Sequence, residues 1–183
     1  MLCAHAHIYG PVIIFQYRWA LMPDDSHPDD GFRHALLKRA LPLFFRFTRA
    51  LTLGVRGAVL DPDGRVFLIR HTYVTGWHMP GGGVEIGETA ETALARELEE
   101  EAMIRVDGTP LLHGAYFNPG LGNRDHVLVY VVRDFTVMGA KVPDREIAET
   151  GFFPLDALPE GTTAPTRRRL DEIATGRARD PMW

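Results

Sequence analysis

The chain has 183 residues, 45% hydrophobic and 24% charged, enough for one domain with a substantial core. A formal net charge of −4 excludes a global basic footprint for nucleic acid or anionic membrane, leaving room only for a local basic groove. The single cysteine, Cys3, excludes an intramolecular disulfide and argues against a Cys-rich zinc site; it fits a reducing compartment, and a cytoplasmic location is expected.

Ile8–Leu21 is apolar but interrupted by Pro11 and Arg18, and it is shorter than the ~20 residues of a membrane span. No positive charge precedes it, so it is a poor secretory signal. Residues 1–31 read as a disordered or extra leader, with Met22 as an alternative start and a partner-binding arm as the competing reading. Residues 32–49 form an amphipathic helical segment, made basic by Arg33, Lys38, Arg39, Arg46 and Arg49 and interrupted by Pro42. A helix packed on the domain is expected there, with a membrane-surface helix as the alternative.

A single domain is expected over residues 50–176. Leu51–Asp61 and Arg65–Thr72 read as strands, joined by a turn at Pro62–Gly64 into a hairpin. Trp77–Glu85 reads as extended and glycine-rich. A helix of about 13 residues follows from Ala90, with Thr89 as its N-cap. Leu111–Phe117 and His126–Phe135 are two further strands, joined by Asn118–Asp125, and Glu149–Leu155 is a short one. Ala164–Thr175 is a final amphipathic helix and residues 177–183 a tail. The elements are interspersed without a regular βαβ repeat, which predicts an α+β fold with a mixed sheet.

The informative stretch is HMPGGGVEIGETAETALARELEEEAMI, His78–Ile104. Glu97, Glu99, Glu100 and Glu101 fall where the helix should end, although carboxylates there oppose the macrodipole at about 0.3–1 kcal/mol each. Glu97, Glu100 and Glu101 share one helical face, with Leu94 and Leu98 on the other. Only Arg96 and Arg105 are near to relieve the repulsion. A hard dication resolves that conflict, whereas an acidic helix face by itself is ordinarily just a solvated one.

Gly82–Ile104 resembles the signature of the Nudix hydrolases, G-x5-E-x7-R-E-U-x-E-E-x-G-U with U a bulky aliphatic. Gly82, Glu88, Arg96, Glu97, Leu98, Glu100, Glu101 and Ile104 match, and Met103 stands where the family has glycine. That glycine suits a left-handed helix cap, so Met103 puts the helix end in question rather than the ligands. The resemblance implies a three-layer α/β/α sandwich. It also implies a hydrolase that uses Mg2+ or Mn2+ to cleave a nucleoside diphosphate linked to another moiety.

By matching positions, Glu97, Glu100, Glu101 and the Gly82 carbonyl are the expected metal ligands. Glu97, Arg96 and Glu101 are the expected catalytic group, Arg96 orienting the carboxylates. Gly81, Glu85 and Glu88 are expected to shape the loop, with contact to a second metal as the alternative for Glu88. The general base is either Glu97 or an acid of the later loop, Asp144, Glu146 or Glu149. Arg70, Arg124, Glu146 and Glu149 are candidate substrate contacts, each weighed against an ordinary surface role. His71, like Arg70, ends a strand near the motif and could touch phosphates, weighed against an ordinary role; for His78 a structural or surface role is favoured over a ligand. Tyr73, Trp77, Phe117 and Phe152 could stack a base but suit the core equally.

The expected partner is a small nucleotide, with no transmembrane segment, no nucleic acid and room for a homodimer. Two alternatives stand beside hydrolysis of a small nucleotide: an RNA 5′-pyrophosphohydrolase, which needs a basic track beside the site, and a non-catalytic nucleotide-binding module. An isopentenyl diphosphate isomerase of this fold would want a catalytic cysteine, and Cys3 is poorly placed for it.

Overall fold

The computed structural model describes residues 51–120 and 122–183. The leader over 1–31, the Met22 start, Cys3 and the amphipathic segment 32–49 lie outside the described residues. Alternating side chains along β6 (Asp125–Val132) explain the architecture. Val127, Val129 and Val131 enter one apolar cluster, while Tyr130 and Val132 enter another on the opposite face. A strand apolar on both faces needs a layer on each side. Helix α1 (Ala90–Ala102) covers one face with Ala93, Leu94 and Leu98; helix α2 (Ala164–Thr175) covers the other with Leu170. The result is the mixed-sheet α+β fold that the element order predicts, in the α/β/α layering that the resemblance implies.

In the central sheet β6 lies between β1 (Thr52–Val59), which runs parallel to it, and β5 (Leu111–Asn118), which runs antiparallel. A second sheet has the order β3 (Trp77–His78), β2 (Arg65–His71), β8 (Ile147–Pro154), all antiparallel. A short pair, β4 (Ile104–Val106) with β7 (Phe135–Val137), follows the end of α1. Mixed pairing was expected; the separation of β7 from β6 was not.

The predicted hairpin is corrected. The turn forms, with the Gly64 amide donating to the Asp61 carbonyl at 3.0 Å and Gly64 at φ 75°. Beyond the Leu60–Val66 bridge, however, β1 and β2 part into different sheets. The reason is competition for the edge of β1. The glycine loop takes it: Val55 donates to Gly82 at 2.8 Å, Gly57 to Pro80 at 2.9 Å, and Val84 to Leu53 at 2.8 Å. This ladder ties the loop to the central sheet beside α1. Gly57 lets the two approach, because a Cβ there would lie 3.2 Å from both Leu94 and Leu98.

Candidate active site

Helix α1 starts where Thr89 accepts the Thr92 amide at 3.1 Å. It stops at Met103, which takes the left-handed conformation at φ 53°, ψ 39° and donates its amide to the Glu99 carbonyl at 3.2 Å. The helix end is therefore the one a glycine would make, occupied by a residue with a Cβ. No basic residue lies in the last turn. Lys141 supplies the missing cation from another part of the chain, donating to the Glu100 carbonyl at 2.7 Å.

The acids of the helix face do not share one environment. Glu101 is buried and accepts the Gly81 amide at 2.7 Å. Burial pushes its carboxyl up to about 7, against the opposing pull of the Gly81 amide and the Arg56 charge. Glu97 is also largely buried and packs on Gly82, where a Cβ would meet its carboxyl carbon at 2.6 Å. Glu100 projects into solvent, its side chain 61% exposed, 3.4 Å from Arg96.

Arg96 binds these groups together, donating to Glu97 at 2.8 Å, Glu88 at 3.1 Å and the Gly83 carbonyl at 3.1 Å. Glu88 also accepts the Glu85 amide at 2.7 Å, closing the loop ahead of the helix. Its bond to Arg96, then the Glu85 amide, hold its carboxyl below the usual range. Gly81 sits at φ 136°, and a Cβ would come within 3.0 Å of the Arg56 Cα. That position is closed to other residues.

Arg56, which sequence reasoning passed over, and His71, which it placed near the motif, both lie beside the acids. Arg56 projects from β1 on the Ala58 side of the strand and donates to the Gly81 carbonyl and, at 3.4 Å, to that of Met79. Burial lowers its guanidinium, and the charges of Glu101 and Glu97 oppose that. The signal was available: a charge at a strand position whose alternation points into the core. His71 is buried 4.0 Å from Glu101, its imidazole lowered by burial and then by Arg56. Arg70 and His71 alternate across β2, Arg70 exposed and His71 buried, where the pairing with β8 skips Ala148.

The later loop separates its three acids. Asp144 accepts the Ile147 amide at 2.8 Å, the Glu146 amide at 2.9 Å and Lys141 at 2.6 Å, which together hold it far below the carboxylate range. Glu149 is paired with Arg70 at 2.6 Å, so these two candidates hold each other at the surface. Glu146 is exposed, and its charge is felt at Glu101. Arg124 is exposed, and its carbonyl accepts the Thr52 amide at 2.9 Å. His78 contacts the Thr75 carbonyl at 3.1 Å. Trp77 and Phe152 are packed into the two apolar clusters, and Tyr73 is exposed.

Among the described residues, no three His, Cys, Asp or Glu side chains stand close enough together to enclose a cation. The donor chemistry nonetheless fits a hard dication. Carboxylate oxygens of Glu97 and Glu101 meet the backbone of Gly81 and Gly82 with no side chain between them. Among the described residues the Gly82 carbonyl accepts the Val55 amide alone, at 2.8 Å, and a carbonyl has a second lone pair.

Comparison with known proteins agrees with this arrangement. A family model described as NUDIX domain matches residues 50–172. A MutT-like protein of Streptomyces ambofaciens is 42% identical over 71 residues, 39% of this chain and 46% of that protein. An ADP-ribose pyrophosphatase of Methanocaldococcus jannaschii is 30% identical over 105 residues, 56% of this chain and 62% of that protein. This chain thus spans less than two thirds of either curated relative. A solved MutT NUDIX hydrolase from Burkholderia pseudomallei superposes with a TM-score of 0.59 at 29% identity, covering 68% of this chain and 98% of the other.

Proposed function

We propose that this chain, which belongs to the Nudix family, is a divalent-metal-dependent hydrolase of a nucleoside diphosphate linked to another moiety. The observation that carries the reading is the placement of Glu97 and Glu101 against the bare backbone of Gly81 and Gly82. Two largely buried carboxylates facing each other's charge are unfavourable alone. They become useful where a cation and an anionic substrate meet. ADP-ribose is the first substrate to try, since the archaeal relative is named for it.

Glu97, Glu100, Glu101 and the Gly82 carbonyl would hold Mg2+ or Mn2+. The metal would supply positive charge against the diphosphate oxygens and make the attacking water more acidic. Arg96 holds Glu97 in place, its charge partly offsetting theirs. Arg56 adds a fixed positive charge at the other side of Gly81, suited to a phosphate oxygen. Two acids remain able to accept the proton from water. Glu97 sits beside the glycine loop, and among the described residues Glu146 is the loop acid with no hydrogen-bonded or ion-paired side-chain partner, since Asp144 and Glu149 are both engaged. We favour Glu97, with Glu146 as the rival. Arg70 and Arg124 are assigned weaker roles at the margin. The single cysteine and the small-nucleotide reading support a cytoplasmic setting; among the described residues no helix is long and apolar enough to cross a membrane.

The test is product analysis with ADP-ribose, other nucleoside diphosphate derivatives, nucleoside triphosphates and 5′-triphosphorylated RNA, each with Mg2+, Mn2+ or EDTA. Metal-dependent release of a nucleoside monophosphate from one of the linked diphosphates is expected. Turnover of the RNA alone would move the function to RNA 5′ ends. Binding of nucleotides without turnover of any of them would move it to a binding module.

A further inference from the structure

The reaction just proposed makes no use of a buried ion pair on α2. Arg169 is fully buried, 2.7 Å from Glu172, which is buried as well. Such a pair is a poor source of stability, because desolvation offsets much of the attraction. Its hydrogen bonds reach one segment. Arg169 donates to the Met182 carbonyl at 2.6 Å, and the Asp180 amide donates to Glu172 at 3.1 Å. Neighbouring Arg168 donates to the main-chain oxygen of Trp183 at 2.7 Å. From the other side Phe117 of β5 donates to Pro181 at 2.8 Å and accepts from the Trp183 amide at 2.8 Å. Tyr116 completes the network, its hydroxyl 3.1 Å from Glu172 and its ring 4.0 Å from the Arg169 guanidinium. The segment 180–183 is thus held on both sides, and α2 spends two arginines and a glutamate on it.

What this fixes is Trp183. Trp183, half-buried against the Tyr116 side of the core, lines two cavities that also share Arg56. One, of about 280 Å³, opens directly on Gly82 and Gly83 and is floored by Gly54. The other, of about 270 Å³, lies toward His78 and Thr163. At the far side of the first, Asp125 is buried with one oxygen taken by Thr52 at 2.8 Å and the other by Asn118 at 2.8 Å. That wall is therefore set before any ligand arrives. The cleft is thus lined by the cation of Arg56, next to the carboxylate site, and by an aromatic residue, Trp183. Charge near the reacting phosphates and an apolar π-face one step further match a nucleotide lying outward from the glycine loop.

We propose that Trp183 is the aromatic wall that stacks on the base of the nucleotide, and that Arg168, Arg169 and Glu172 are positioning residues that hold it there. The proposal rests on the nucleotide reading of the site above. A sequence view gives no hint of it, because Trp183 stands 79 positions beyond Ile104, the end of the recognised signature.

The experiment is calorimetric binding of ADP and of inorganic pyrophosphate, in Mg2+, to the parent protein and to Trp183→Ala, Trp183→Phe and Arg169→Met. Trp183→Ala should weaken ADP about tenfold or more while leaving pyrophosphate within about twofold, since stacking acts on the base alone. Trp183→Phe should recover most of the loss. Arg169→Met should weaken ADP as Trp183→Ala does, again sparing pyrophosphate. With the substrate identified by product analysis, Trp183→Ala should raise KM with kcat little changed. Equal ADP affinity in the parent and Trp183→Ala overturns the stacking role and leaves the hydrolase reading standing. Parent-like ADP binding by Arg169→Met, with Trp183→Ala weakened, overturns the positioning role. Binding of pyrophosphate but not ADP by the parent overturns the proposal together with the nucleotide reading.

Discussion

The carboxyl carbon of Glu97 lies 2.6 Å from the point where a side chain at Gly82 would begin. A methyl there cannot coexist with the present rotamer, but the obstacle is the free end of a flexible chain. Gly82→Ala should therefore fold normally and lose about tenfold or more in kcat, because Glu97 must leave its place. Gly81→Ala should instead cost stability, roughly 1–3 kcal/mol, since φ 136° and the Val55 and Arg56 backbone both resist it. Urea unfolding and turnover measured on both variants check this. A destabilised Gly82→Ala with full activity per folded molecule would show that Glu97 does not need this position.

Met103 holds a left-handed conformation at a helix end that passes straight into β4. Met103→Gly should raise stability by up to about 1 kcal/mol by removing the Cβ penalty. Activity should stay within a few-fold, because Met103 offers no group to the site. Thermal unfolding without metal gives the first quantity and initial rates the second. A hundredfold gain in rate would mean that Met103 distorts the acidic face.

How much was legible before the structure depends on how local the cause is. Helix α1 was readable in its start at Thr89 and its length of about 13 residues, which are local features, whereas Met103 left its end in question until the left-handed cap was seen. The partition of β1 and β2 was not, since the rival for the β1 edge is a loop more than 20 residues away. Arg56 was visible only as a charge within a strand; its meaning depends on which carbonyls the loop brings to it. The pairing of Arg70 with Glu149, two residues read as substrate contacts, follows from strand register. The environments of Glu97, Glu100 and Glu101 diverge because the helix face turns against the sheet edge, which spacing alone cannot specify.

Tyr116 supplies a pH test outside the acidic face. Burial, then the Glu172 charge, pushes its phenol from the ordinary value of 10 up to about 12. The folded protein holds this proton more tightly than the unfolded chain. Its contribution to stability is complete below about pH 10 and is lost as pH rises toward 12. Tyr116→Phe should be less stable at pH 8, having lost the bond to Glu172, and the gap to the parent should narrow above pH 10. Urea midpoints at several alkaline pH values measure this. A gap that widens with pH would reverse the sign of the shift.

The attacking water needs a base, and Glu97 and Glu146 differ in what their loss should look like. Glu97 lies against Gly82 and is held by Arg96 at 2.8 Å, so Glu97→Gln removes charge from the proposed metal site as well as a proton acceptor. Glu146 is exposed on the loop, and Glu146→Gln leaves the helix face intact. If Glu97 acts solely as a ligand, raising Mn2+ should restore part of the rate of Glu97→Gln. If it is the base, metal should not rescue it, and rate should climb with pH as hydroxide replaces the lost acceptor. Glu97→Gln is expected to lose at least about tenfold more kcat than Glu146→Gln, and Glu149→Gln to lose little, because general-base removal costs about 10²–10⁴-fold. The comparison is made at saturating Mg2+ on one accepted substrate across pH 6–10. A Glu146→Gln variant more crippled than Glu97→Gln, with a steep alkaline recovery, would transfer the base to the loop and leave Glu97 as a ligand.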